Sequence, residues 1–383
     1  MEPASINPTR RAEPSAVTHL LFRMVLLIVS GAVFLGAVNY LVQNRRLWYW
    51  TPLSNDELLK YYALATDPQK YDVLIAGSSV SLRGLMPAVV EEELARGLLR
   101  PEPWRVYNAS IPAAMFPAYL ELMRGIVGRY QHPQVVVLVL AVRDFNAASR
   151  SLDRQLRYFT KTPNDYWLVW RYAPRWGERW AVAQAWLHGT EAILQTPAYF
   201  SVQARVQEFQ ARHGATYFYP VTGEGQELNQ KLLPPAEKSV EDLRRSRIKE
   251  TRDKLLPDFQ ISPLIDAWFQ EVIRLAKRRQ TKLLILLAPE SQEFARAVYT
   301  SERQTVEKYL AVHCLQEGVP CSDLGQEPFR PAEADYFDGC DHLGPRGAEK
   351  LSRAVSRSIL VPALSALDSS PARTEPGDAS GKE

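Results

Sequence analysis

The chain has 383 residues, 46% hydrophobic and 23% charged, an ordinary globular composition with length enough for one large domain or two modest ones. A formal net charge of +3 is too small to argue for a nucleic-acid partner. No Cys–His spacing resembles a zinc site, so no metal or other cofactor is implied.

In chain order, residues 1–18 are polar and contain proline, and read as a disordered cytoplasmic tail. Residues 20–42, LLFRMVLLIVSGAVFLGAVNYLV, carry a single charge, Arg23, near one end where its side chain can snorkel. The 19 residues from Met24 to Val42 approach the ~20 needed to cross a bilayer. Trp48, Tyr49 and Trp50 follow, as in an interfacial aromatic belt. A cleaved signal peptide usually has a shorter apolar region and a small-x-small site, and none follows Ala37, so an uncleaved signal anchor is expected. Arg10, Arg11 and Arg23 precede the span and Arg45 and Arg46 follow it, which favours a cytoplasmic N-terminus and an outward-facing C-terminal domain in a single-pass protein of the inner or cytoplasmic membrane.

Residues 51–70 read as a juxtamembrane helix capped at Ser54 or Asn55. Strands are expected over 71–76 and 104–108, and over 134–141 (QVVVLVLA), whose unbroken β-branched run suits burial on both faces. Helices over 87–99 and 117–130 alternate with them, the order of a parallel α/β sheet. The pattern resumes with a helix over 263–279, a strand over 281–288, a helix over 301–316, a strand over 319–323 and a closing helix over 347–360. That last helix should stop by Val361, the residue before Pro362. Residues 366–383 read as a solvated, disordered tail. Between the halves, about 147–260, the composition shifts to Trp167, Trp170, Trp176, Trp180 and Trp186 and then to charge-rich sequence. This reads as a mainly helical insertion at the carboxyl ends of the strands, where α/β folds place ligands. Its aromatics form either a groove for a sugar or acyl group, a lipid-facing surface or a satellite core.

Gly77-Ser78-Ser79 follows the first strand. Gly permits a tight turn, and a serine there needs a base and oxyanion donors to act as a nucleophile. Of six histidines, His19, His132, His188 and His213 lie near the anchor, in a turn or in the insertion, and His313 falls on a helix surface. Only His342 sits in a loop with carboxylates, Asp338 and Asp341, just ahead of a helix. The three cysteines, Cys314, Cys321 and Cys340, all lie late. In an outward-facing domain two of them can pair, Cys321 with Cys340 being the pairing that would pin the loop before His342, and three reduced cysteines is the other reading.

Together these segments resemble the SGNH, or GDSL-like, hydrolase superfamily over about residues 71–146 and 281–360. Gly77-Ser78-Ser79 is similar to the Gly-Asp-Ser turn, with Ser79 at the nucleophile's position and Ser78 in place of Asp. Asn108-Ala109-Ser110-Ile111-Pro112-Ala113 is similar to an Asn-Ala-Ser-Ile-Ser-Gly stretch, and the resemblance implies an oxyanion-hole N–H at Ala113 beside that of Ser79. Ala141-Val142-Arg143-Asp144 falls where the family has Gly-x-Asn-Asp, so Arg143 stands in place of an oxyanion donor, with Asn146 the other candidate to reach in. Asp338 to His342 falls where the family has Asp-x-x-His, one residue longer here, with Gly339 able to absorb a bulge. Asp341, adjacent to His342, would normally point elsewhere.

The resemblance implies an α/β fold, a three-layer parallel sheet of SGNH/flavodoxin-like type over 47–365, with the transmembrane helix before it and the helical insertion within it. It also implies a Ser79–His342–Asp338 site with oxyanion donors at Ser79, Ala113 and Arg143. The layout is similar to membrane-anchored cell-envelope members such as teichoic-acid D-alanylation and alginate O-acetylation proteins. An extracytoplasmic serine esterase or O-acyltransferase acting on an envelope glycan or polymer is therefore expected, beside an integral membrane acyltransferase. The alternative is a catalytically inactive glycan-binding or scaffold protein of the same fold.

Overall fold

A computed structural model gives the protein's structure and describes residues 16–44, 61, 64–65, 67–159, 163–173, 176, 179–180, 183 and 239–368. The helix α1 (Ala16–Asn44) has 29 residues, and Leu20, Phe22, Leu27, Ile28 and Phe34 are exposed on it. Its described side chains run unbroken only over residues 20–31, and among the described residues no helix is long and apolar enough to cross a membrane. The helix expected over 51–70 lies largely outside the described residues; Tyr61, Leu64 and Ala65 within it are buried.

Five strands form the body: β1 (Val73–Gly77), β2 (Val106–Asn108), β3 (Val135–Leu140), β4 (Lys282–Leu287) and β5 (Cys321–Asp323). They make one sheet in the order β2-β1-β3-β4-β5, every pair parallel, which is the flavodoxin-like order. The reason lies in the side chains. Val73 and Ile75 of β1 and Val135, Val137 and Val139 of β3 pack into one layer, while Leu74, Ala76, Val136, Leu138 and Leu140 pack into the other. A strand that alternates between two apolar layers has no polar face, hence the uninterrupted runs.

Helices cover both faces. On one side lie α2 (Ser79–Gly84), α3 (Pro87–Gly97) and α11 (Pro345–Val355), with Val90, Leu94, Ala348 and Leu351 inward. On the other lie α4 (Phe116–Glu121), α8 (Pro263–Arg278) and α10 (Glu302–Glu317), centred on Phe116, Trp268 and Phe269. Each such fully buried large side chain contributes ~1.5–3 kcal/mol. Buried Glu93 ties α3 to α11, and hydrogen bonds from Arg357 and Arg353 hold its carboxyl down at about 2.

The insertion's described part is helical, as expected: α5 (Arg150–Phe159), α6 (Pro163–Tyr172) and α7 (Val240–Glu250), the last continuing as a π turn, Thr251–Leu255. Trp167, Trp170, Trp176 and Trp180 are exposed, while Trp186 lies outside the described residues. Helix α9 (Gln292–Val298), capped by Ser291, was not anticipated; one short turn after a strand carries too few residues to show a period.

Two expectations are corrected. The closing helix does not stop at Val361: a π turn, Ser356–Leu360, leads into α12 (Val361–Asp368). Pro362 thus falls in the first turn of a new α segment, where a missing N–H leaves nothing unbonded. The described chain is therefore helical through residue 368, past the start set for the tail. The disulfide joins Cys314 to Cys321, across the turn from α10 into β5, and Cys340 is free and buried. Cys314 lies in the last turn of α10 and β5 begins seven residues after it, so local geometry rather than the His342 loop selects the pair.

Gly77 ends β1 against backbone. A Cβ there would lie 2.6 Å from Ser81 Cβ and 2.7 Å from Val139 O. Gly77→Ala is therefore expected to lower stability by ~1–3 kcal/mol, the usual range for overpacking, read as a lower urea midpoint with unchanged slope.

Candidate active site

In a sheet of this order the crevice lies beyond the carboxyl ends of β1 and β3, where the chain leaves toward opposite faces. Both ends carry site residues. After β1, Ser78 is extended and α2 starts at Ser79. After β2 the chain keeps company with β1: Ala109 N–H donates to Ile75 O (2.7 Å) and Ile111 N–H to Gly77 O (3.1 Å). Buried Asn108 locks this stretch, donating to Ser81 O and Leu85 O while its own carbonyl accepts from Ser110 N–H. The result brings Ala113 to the cleft beside Ser79. Ala113 has φ 55°, the left-handed region, which matches a position where the resembled stretch has glycine.

After β3 a 3-10 turn, Val142–Phe145, presents Arg143 and Asp144. Asp144 accepts from Ala141 N–H (3.0 Å) and from the Tyr119 hydroxyl (3.1 Å). Burial pushes its carboxyl up to about 6, against the pull of Arg143 and those two donors.

The loop ahead of α11 brings the base. His342 Nε2 lies 2.9 Å from Ser79 Oγ, and His342 Nδ1 lies 2.6 Å from Asp338 Oδ2. The other Asp338 oxygen accepts from Cys340 N–H (2.8 Å) and His342 N–H (3.3 Å), so the carboxylate both folds the loop and orients the ring. The longer Asp–His spacing is absorbed where expected, at Gly339, whose φ is 68°. Ser79, His342 and Asp338 are thus brought together as the sequence predicts, and Ser79, Ala113, Arg143 and His342 share one cleft of about 220 Å³.

Two placements differ from expectation, those of Asn146 and Asp341. Asn146 does not reach in; it donates to Leu255 O and Pro257 O and pins the end of the insertion. His313 lies half-buried on the surface of α10, where it packs on Tyr309 and hydrogen-bonds Gln270. Asp341 does not point away. Its Oδ1 lies 3.3 Å from His342 Nδ1, and its carboxylate pairs with Arg143 and with Arg247 of α7 (3.3 Å). Arg143 Nη2 also lies 3.4 Å from Ser78 Oγ. Burial alone would raise the Asp341 carboxyl, but Arg247, then His342 and Arg143, hold it well below the usual range. Arg143 in turn is held above its ordinary value, despite burial, by Asp341 and Asp144.

Sequence reasoning missed Arg247, and Arg244 one turn before it. The only signal was a charged helix opened by Ser239-x-x-Asp242, which reads as a solvated face. Among the described residues, Asp338, Asp341 and His342 are also a grouping whose atoms come within 4.8 Å, close enough for a cation. Two guanidinium groups already supply positive charge to Asp341, so the donor set fits hydrogen bonding to the imidazole better than a metal. No protein-family model matches the sequence, and no curated protein matches it.

Removing the charge of buried Asp341 takes a shared counter-charge from Arg143 and Arg247. Asp341→Asn is expected to destabilise by ~3–5 kcal/mol near neutral pH, as for other broken buried pairs. The folded carboxyl lies below the unfolded value of about 4, so the pair's contribution is complete above that value and is lost as pH falls toward the folded one. The gap between wild type and variant in urea melts should therefore shrink below about pH 4.

Proposed function

We propose that the protein is a serine ester hydrolase or O-acyltransferase of SGNH type that works through an acyl-enzyme on Ser79. The observation that carries this reading is the continuous chain from Ser79 Oγ through the His342 ring to Asp338, at 2.9 and 2.6 Å. In this reading His342 Nε2 takes the Ser79 proton as Oγ bonds to the ester carbonyl carbon. Asp338 holds the Nδ1–H tautomer. The N–H groups of Ser79 and Ala113 meet the developing oxyanion, with the Arg143 charge nearby. The intermediate collapses, the alcohol leaves with the proton from His342, and Ser79 keeps the acyl group. Water then regenerates the enzyme as an esterase, and a sugar hydroxyl does so as a transferase. A cleft of about 220 Å³ suits a short acyl group or a single sugar unit.

The same proposal places α1 in the inner or cytoplasmic membrane and the domain outside the cytoplasm. Its support is the apolar sequence of residues 20–42, the exposed apolar side chains of α1, and a disulfide, which persists in oxidising compartments. An envelope glycan or polymer as substrate, and an integral membrane acyltransferase as neighbour, rest on the resemblance alone. A second reading, an inactive binding or scaffold protein, is favoured by Arg143, whose guanidinium is engaged by Asp341 rather than free for an oxyanion.

Fluorophosphonate labelling of the full chain in detergent separates the two. Wild type is expected to label, Ser79→Ala to abolish labelling, and His342→Ala to reduce it by ~10³-fold or more, as triad losses do. Labelling that survives Ser79→Ala sinks the enzymatic reading, and a folded wild type that never labels leaves the scaffold. For the location, maleimide titration of denatured protein from the native host is expected to count one thiol, Cys340; three would place the domain in a reducing compartment.

A further inference from the structure

Two carboxylates lie near the Nδ1 atom of the His342 ring. Asp338 Oδ2 lies at 2.6 Å and Asp341 Oδ1 at 3.3 Å. Asp338 is the carboxylate hydrogen-bonded to Nδ1 in the ring position that sets Nε2 2.9 Å from Ser79 Oγ. The loop turns through Gly339 in the left-handed region and is held by the Asp338 carboxylate, which accepts from Cys340 and His342 N–H.

Helix α7 of the insertion packs two arginines, three residues apart and so on one face, onto this loop. Arg247 Nε lies 3.4 Å from Asp341 Oδ1 and its Nη2 lies 3.3 Å from Oδ2. Arg244 Nε donates to Gly339 O (3.2 Å), the same carbonyl that accepts from Ser291 Oγ (2.8 Å). Arg244 also sits where a Cβ on residue 339 would stand, 2.7 Å from its Nε, and pairs with Glu293 of α9. With Arg143 on its other side, Asp341 meets guanidinium groups from two elements, one at the end of β3 and one in the insertion.

We propose that Arg247, backed by Arg244, is a positioning residue: by engaging the Asp341 carboxylate it leaves the His342 Nδ1 proton to Asp338 and so keeps Nε2 on Ser79. The insertion is then part of the catalytic apparatus, although it touches neither Ser79 nor His342 through these side chains. The proposal rests on the serine-hydrolase reading above for its catalytic consequence, while its structural claim concerns the imidazole alone.

The test uses the full chain in detergent, with two readouts. One is the fluorophosphonate labelling rate. The other is the far-downfield proton resonance of His342 Nδ1, assigned by its loss in His342→Ala. Arg247→Met is expected to lower the labelling rate by ~10²-fold, the scale of a misplaced reacting group, and to shift or erase the resonance. Arg247→Lys keeps the positive charge and is expected to retain the resonance and most of the rate. Adding Asp341→Asn to Arg247→Met removes the competing carboxylate and is expected to raise the rate above that of Arg247→Met, a coupling that a purely structural role does not produce. A cooperative melt for each variant keeps the comparison among folded proteins. An unchanged resonance and rate in Arg247→Met overturns the proposal, as does equal loss in the Lys and Met variants or no gain in the double variant. A wild type that fails to label defeats the hydrolase reading instead, and the resonance in Arg247→Met against wild type still decides the positioning claim.

Discussion

The cleft depends on the parallel pairing of β1 with β3. Both strands are buried on both faces, so a one-residue slip would exchange the residues of one apolar layer for those of the other and break two packed surfaces together. Register is therefore fixed, with Gly77 opposite Val139. From that fixed pair the chain leaves β1 at Ser78-Ser79 and β3 at Ala141–Asp144. The same pairing leaves Ile75 O and Gly77 O free for Ala109 and Ile111, which is how the Asn108–Ala113 stretch comes to lie beside the serine. The site residues are distant in sequence and adjacent because hydrophobic burial sets strand register.

What the sequence makes legible follows from the same physics. Unbroken runs such as residues 134–141 announce strands covered on both faces, and the alternation with helices announces parallel pairing. Ser79, His342 and Asp338 are legible because the chemistry needs a serine at a strand end and a histidine with a carboxylate in a loop. The spacing from Asp338 to His342 looks wrong only until Gly339 is allowed a left-handed turn, and the residue type itself permits that.

The remainder was not legible because it depends on which surfaces meet. Nothing local distinguishes Arg247 from its neighbours Arg244 and Arg245 on a charged helix, where it pairs with Glu250, and only the packing of α7 against the 338–342 loop brings it to Asp341. The disulfide is similar. Three cysteines allow three pairings, and Cys314 finds Cys321 because α10 returns directly into β5. Pro362 misled because the rule for the residue before proline assumes an ordinary α-helix, whereas a π turn had already reset the hydrogen-bond ladder.

Two features that look like separate departures from an SGNH-type site are joined in the structure. Arg143 stands where the resemblance expects an asparagine, and Asp341 stands beside the histidine where a carboxylate has no evident task. A buried guanidinium without a counter-charge is expensive, and so is a buried carboxylate. Each is tolerated because the other is present, with Arg247 adding a second positive charge to the same oxygen atoms. This pairing also bears on catalysis. A neutral asparagine offers an oxyanion only the dipole of its N–H. An arginine already bound to Asp341 offers a charge whose field is partly cancelled and a guanidinium held in place by the carboxylate. The gain is orientation without the reorganisation a free arginine would need, the condition under which a hydrogen-bond donor contributes most to a developing negative charge. On the proposed hydrolase reading Asp341 thus holds Arg143 still beside the oxyanion position, and on the scaffold reading the same pair keeps that guanidinium engaged.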